Sequence, residues 1–426
     1  MANLENSIPP ALVGAQGDPE PAQLEKTTFN FPEGGLRASF VVLGAFCVSF
    51  STYGYMNAYG IYQAYYAGHF LSDKSASAIS WIGSVQLCFL FSGSLVGGPL
   101  FDRYGASILR VPAIALVVSV MMTSLCKKYY QFMLAQGILG GITSGILFAP
   151  VMTCVSHYFH KRRAAALGVT VCGSSLGGVI FPIALSRMLR NESLGFGWSV
   201  RIIGFLILFM VLISLATIKE RLPPRRGAIL LPSAFTNRPY TLTTLGLFFM
   251  MWGLFTPFFY LPQYAQLHGM SASLSSYLIA ILNAASACGR VLPGLLADKL
   301  GRFNILIVIG TCTGILLLCW IAVSSHASIV VFAGLYGFFS GGIVSLMSPC
   351  IGQVTPVANQ IGTYLGMALA VLSLAGLTGT PICGALIQRY GAYTQAALFS
   401  GVVVLVGVVF IVLARFHQGT RIVGKV

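Results

Sequence analysis

Twelve stretches of about 20 apolar residues, separated by short charged or Pro/Gly-rich breaks, constrain this chain more than any motif does. They run over about 38–60, 79–99, 108–126, 132–156, 164–186, 200–218, 241–262, 274–297, 304–322, 329–354, 362–387 and 394–413. A segment of that length and polarity crosses a bilayer as a helix, and a bundle of them satisfies its backbone groups within the helices. With 56% apolar residues, 8% charged residues and a mean hydropathy of +0.82, the chain does not describe a soluble globule. The predicted class is an all-α polytopic membrane protein.

The net charge of +15 would suggest nucleic acid in a soluble domain, but here its distribution gives orientation instead. With both ends inside the cell, Lys and Arg number 17 on the inner side and 7 on the outer, with Arg290 left in the membrane. That asymmetry is the positive-inside pattern. The sole sequon, Asn191-Glu192-Ser193, then falls outside and makes Asn191 a candidate glycosylation site.

Residues 1–37 read as a disordered cytosolic tail, since five of the ten acids (Glu5, Asp18, Glu20, Glu25 and Glu33) lie there among Pro, Gln and Ala. They lack the basic start and apolar core of a secretory signal. Residues 38–218 form a first six-helix half, 219–240 a basic cytosolic linker, 241–413 a second half, and 414–426 a second cytosolic tail. The ten cysteines all fall within the spans and form no CxxC pair, which makes them packing residues. Neither a phosphate loop nor a metal-ligand pair is present, so no cofactor is expected and a membrane enzyme is disfavoured.

An internal repeat supports the division into halves. GPLFDRYG (Gly98 to Gly105) matches GLLADKLG (Gly294 to Gly301) at 196 residues; Gly137 and Gly140 match Gly334 and Gly337 at 197; Gly177 and Pro182 match Gly376 and Pro381 at 199. Parallel repeats of this kind build transporters whose halves rock about a central site. In the GxxxD(R/K)xG pattern the glycines allow close helix approach, and the acid can meet the positive N-terminus of a neighbouring helix. Gly98, Asp102, Arg103 and Gly105, with Gly294, Asp298, Lys299, Gly301 and Arg302, are therefore gating candidates. The basic run Lys161, Arg162 and Arg163 joins them.

Arg290 is the anomaly. It lies eight residues before Asp298, roughly 12 Å along a helix, and no acid keeps it company. A central arginine costs about 2.5 to 3.5 kcal/mol on insertion scales and does not shed its proton. Three roles fit: contact with an anionic substrate through the guanidinium fork, organisation of the cytosolic gate through loop carbonyls, or snorkelling toward the interface. Asn283, two turns earlier on the same face, is a companion. Tyr55, Asn57 and Tyr59 in the first span, and Trp252, Thr256 and Tyr260 around Pro257 in the seventh, are further candidates for lining a substrate cavity.

PEGGLRASFVVLGAF (Pro32 to Phe46), YFHKRRAAALG (Tyr158 to Gly168), GSSLGGVIFP and GRVLPGLLADKLGRFN resemble the major facilitator superfamily, and within it the fungal branch of the monocarboxylate porters. The resemblance implies the twelve-helix major facilitator fold and alternating access. It implies as cargo a small organic anion or weakly acidic metabolite, taken up as a carboxylate or exported as a biosynthetic product. The carboxylate carriers it resembles use a lysine in the first helix, absent here between Ala38 and Gly60, and an aspartate where this chain has Ser286. Only Arg290 survives, so proton symport does not carry over. A riboflavin-type or neutral aromatic permease, and a nutrient sensor built on the same fold, are the alternatives.

Overall fold

The computed structural model describes residues 31–191, 193–223 and 230–418. Most of the expected N-terminal tail, Glu192, the linker segment with Arg225 and Arg226, and the last eight residues lie outside the described residues. Eleven described helical runs are long and apolar enough to cross a membrane. One of them, Ala78–Thr123, has 46 residues. Laid straight it would reach roughly 69 Å, more than twice the hydrocarbon thickness of about 30 Å. Its helix ends at Gly105, whose φ of +71° suits only glycine, and resumes at Arg110 after a single 3-10 turn. The run therefore holds two spans, and the bundle has twelve.

We number them α1 (Leu36–Gly68), α2 (76–104), α3 (Arg110–Thr123), α4 (Tyr129–Ser156), α5 (Arg163–Leu189), α6 (Gly195–Thr217), α7 (Arg238–Leu267), α8 (Ala272–Leu300), α9 (Arg302–Ala322), α10 (His326–Val354), α11 (Ile361–Tyr390) and α12 (Thr394–Phe416). No strand occurs among the described residues. Large apolar side chains such as Val111, Phe209, Val308 and Val409 point outward, as contact with lipid tails requires. The interior is mainly apolar and aromatic, and buried serines, threonines and glycines among those side chains allow close helix approach.

Three irregularities position the interior. A π-turn at Phe50–Gly54 and a broken turn at Asn57–Ala58 interrupt α1, and such bulges free backbone groups in mid-helix. Helix α7 breaks at Phe255, because Pro257 has no N–H to continue the ladder. A second π-turn, Met133–Leu139, lies in α4. The halves α1–α6 and α7–α12 meet along two seams, α2 against α11 and α5 against α8.

Of the tail expected over residues 1–37, only residues 31–37 are described. Helix α1 begins at Leu36, and Glu33 is already fixed, its carboxylate accepting hydrogen bonds from the backbone of residues 160–162. An acidic residue counted by composition as solvated is held instead by backbone donors that no helical bond satisfies.

Candidate functional site

Arg290 is 2% exposed, on α8 where that helix crosses α5. Its Nη1 donates to the carbonyl of Val171 at 2.8 Å and to the Ser174 hydroxyl. Its Nε is buried and without a partner. Ser174 passes the network on: its carbonyl accepts from Asn57 Nδ2 at 3.5 Å, and Asn57 Nδ2 reaches Asn283 Oδ1 at 3.5 Å. Asn283 is fully buried and also donates to the Ile279 carbonyl at 3.0 Å. Arg290, Ser174, Asn57 and Asn283 thus form one polar chain across the α5/α8 seam. The broken turn of α1 delivers Asn57 to it.

The helix crossing at this point does not itself require an arginine. A Cβ on Gly168 of α5 would lie 2.3 Å from the Arg290 carbonyl, so only glycine allows that approach. On the other seam a Cβ on Gly366 of α11 would lie 2.3 Å from the carbonyl of Ser94, which stands 196 residues before Arg290. A serine serves the equivalent crossing. The guanidinium is an addition to one half only, and its hydrogen bonds go to neutral acceptors.

The other candidates sit elsewhere in this state. Tyr55 packs its ring against Tyr62 and Phe181 within the first half, with centroids 5.8 and 6.0 Å away. Tyr59 donates to the Ile79 carbonyl of α2 at 2.5 Å. In the second half, Trp252 Nε1 donates to Thr378 Oγ1 at 3.0 Å and Tyr260 to the Thr380 carbonyl at 3.0 Å. Thr256 Oγ1 lies 2.7 Å from Ser400 Oγ. Their polar contacts run to α2, α11 and α12, not to α8. Sequence reasoning missed Ser174, hidden in the small-residue run GSSLGG. It also missed Tyr53, buried on α1 with its hydroxyl unpartnered.

Both repeated acids lie at the start of a helix in the opposite half. Asp298 at the end of α8 accepts from Ala164 N at 3.0 Å and Ala165 N at 2.8 Å, the first turn of α5. Asp102 at the end of α2, 5% exposed, accepts from Gly362 N at 3.2 Å, Thr363 N at 2.7 Å and Thr363 Oγ1 at 2.8 Å on α11. These are orphan donors at positive helix ends. The repeated glycines make the approach possible: a Cβ on Gly98 would lie 2.0 Å from the Gly362 carbonyl, and one on Gly294 2.6 Å from that of Ala164.

Around Asp298 the α5 seam carries more. Arg302 pairs with Asp298 at 3.5 Å and donates to the His160 carbonyl at 2.5 Å. Arg163 sends Nη1 to the Gly352 carbonyl of α10 at 3.0 Å. Arg103, Lys161, Arg162 and Lys299 are exposed, and Gly301, at φ +97°, ends α8. On this face, where α1 begins and α12 ends, both seams are bridged by these carboxylate contacts. Two surface grooves, of about 350 and 260 Å³, lie at the ends of α3/α4 and α7/α9 away from the seam carboxylates and do not touch Arg290.

Two pseudo-equivalent six-helix halves joined by matched seams, one of them crossed by a buried polar chain, have the architecture of a membrane transporter for a small-molecule substrate. The chain belongs to the Major Facilitator Superfamily, whose family model matches residues 41–360. It is 54% identical over 377 residues to the aspyridones efflux protein apdF of Emericella nidulans, covering 88% of this chain and 77% of that one. Over 403 residues it is 41% identical to the agnestins efflux protein AgnL12 of Paecilomyces divaricatus, covering 91% and 90%. Among solved structures the fold matches the human organic anion transporter MFSD10 at a TM-score of 0.68, covering 88% and 98% of the two chains. It also matches FucP in its outward conformation at 0.69, covering 90% and 99%; both are 16% identical.

Proposed function

We propose that this chain exports a weakly acidic fungal secondary metabolite by alternating access, with Arg290 as the contact for the substrate's negative charge. The observation that carries the reading is a buried guanidinium whose hydrogen bonds go to neutral acceptors and whose Nε has none. A buried charge without a countercharge is costly, and an anion would relieve it. The Tyr53 hydroxyl, also unpartnered, is a second donor for the same group. Relatives named for efflux of aspyridones and agnestins support export of a biosynthetic product. The quoted motifs support kinship with the monocarboxylate porters inside the superfamily.

In this mechanism the face with both latches is cytosolic, following the Lys/Arg asymmetry, and the described state is closed to the cytosol. Substrate enters from the cytosol when Asp102 and Asp298 leave their helix ends, displaces Val171 and Ser174 from the guanidinium, and departs outward once the latches re-form. The hydrogen bonds of Arg290 to α5 also favour a second reading, in which it is purely a gate residue. Metabolite profiling of cells and medium with and without the protein tests export. An acidic product enriched in the medium only when the protein is present is expected. Enrichment of a neutral product alone would overturn the reading.

A further inference from the structure

Two carboxylates hold the start of α5, one from each half. Asp298 takes the N–H groups of Ala164 and Ala165. Glu33, three residues before α1, takes those of His160 at 2.8 Å, Lys161 at 2.6 Å and Arg162 at 3.0 Å, while its own N–H donates to the Tyr158 carbonyl at 3.1 Å. Five backbone donors in six residues are thus consumed by two acids. Glu33 does so at φ +56°, the only non-glycine in the left-handed region among the described residues. A conformation of that kind persists where its surroundings over-determine it.

The same segment is gripped by the second half, through Arg302 on the His160 carbonyl. The pseudo-equivalent start of α11 is built differently. Residues 358–360 form a 3-10 turn of their own before the two donors that Asp102 takes. The approach to α11 supports itself, whereas the approach to α5 is supported by Glu33. Burial alone would raise the Glu33 carboxyl, but the backbone N–H groups of residues 160–162 outweigh it and hold the group below the usual glutamate range, so it stays an anion there.

We propose that Glu33 is a positioning residue of the transport cycle: by fixing residues 160–162 it holds the first turn of α5 where Asp298 engages it, and so sets how much of the protein stands closed on this face. The proposal rests on the alternating-access reading above. Cys350 is a built-in reporter, fully buried on α10 two residues from Gly352, which Arg163 reaches across the seam. Its alkylation by a maleimide, read peptide by peptide by mass spectrometry on the full-length protein in nanodiscs, measures opening.

Glu33→Ala is expected to speed Cys350 alkylation about tenfold, the scale of losing a hydrogen bond to a charged group. Asp298→Ala should give a similar rise, and the double variant little more than the larger single effect, because both acids act on one turn. Glu33→Ala with Asp102→Ala should multiply, since that latch is separate. If Glu33→Ala does not fold, Glu33→Gln, which keeps one acceptor oxygen, carries the test with a smaller rise in the same pattern. Wild-type rates for the Glu33 variants beside faster alkylation in Asp298→Ala, or effects of Glu33 and Asp298 that multiply, would overturn the role of Glu33. Wild-type rates in both Asp102→Ala and Asp298→Ala would overturn the closing mechanism itself.

Discussion

Replacing Asp102 by asparagine removes the charge from a latch while keeping its shape. In the closed state the carboxylate accepts three hydrogen bonds, at 3.2, 2.7 and 2.8 Å, and is 5% exposed. Hydrogen bonds to a charged group are worth roughly 1.5–3 kcal/mol net. An asparagine keeps one carbonyl oxygen but turns its NH₂ toward a donor, so the loss is about 2 kcal/mol, roughly a thirtyfold shift toward the open state. Hydrogen–deuterium exchange in nanodiscs reads this where it happens. The amides of Gly362 and Thr363 should exchange roughly thirtyfold faster in Asp102→Asn, while transport slows and substrate affinity stays largely unchanged. Unchanged exchange at these two amides would refute the latch. An equal rise throughout the bundle would show general destabilisation instead.

Gly98→Ala should prevent full closure of the α2/α11 seam and speed Cys350 alkylation more than Gly294→Ala does, because its Cβ would lie 2.0 Å rather than 2.6 Å from a facing carbonyl. Overpacking of this kind costs roughly 1–3 kcal/mol. His157 is buried beside Phe101 with neither ring nitrogen partnered, and burial, with Arg163 and Arg221 nearby, pushes it down to about 3. The folded chain therefore resists a proton that the unfolded chain takes up near pH 6.5. Thermal stability should fall as pH drops from about 6.5 toward about 3, and His157→Phe should flatten that limb; an unchanged pH profile would contradict the assignment. For orientation, a cysteine replacing the exposed Ser193 should react with an impermeant reagent on intact cells, while one at Ser233 in the linker should resist it, and the reverse would invert the topology.

Periodicity and length made the spans legible, because lipid demands long apolar helices whatever they pack against. The 196-residue repeat located both carboxylates that cross the seams, since Gly98/Asp102 and Gly294/Asp298 recur as a unit. Arg290 and Asn283 stood out as polar residues on one face of an apolar helix. What the sequence hid were partners distant along the chain. Ser174 lies 116 residues from Arg290 in a run of small residues that reads as packing alone. Glu33 looked like part of a solvated acidic tail, because only the folded chain brings it to the free N–H groups before α5. Tyr55 and Tyr59 were picked from an aromatic run that also holds Tyr53, whose buried hydroxyl is unpartnered. The π-turn at Phe50–Gly54, which holds Tyr53, leaves no signature in composition.

Binding of an acidic ligand and its neutral ester to purified wild-type, Arg290→Ala and Arg290→Lys protein tests the role of Arg290 most directly. The acid should lose roughly 10- to 100-fold in affinity in Arg290→Ala, the scale of a charge-assisted hydrogen bond. Arg290→Lys should recover part of it, since a point charge lacks the planar fork. The ester should bind wild type weakly and lose little further in either variant. Equal proportional losses for acid and ester would contradict an anion contact and leave Arg290 as a residue of the gate.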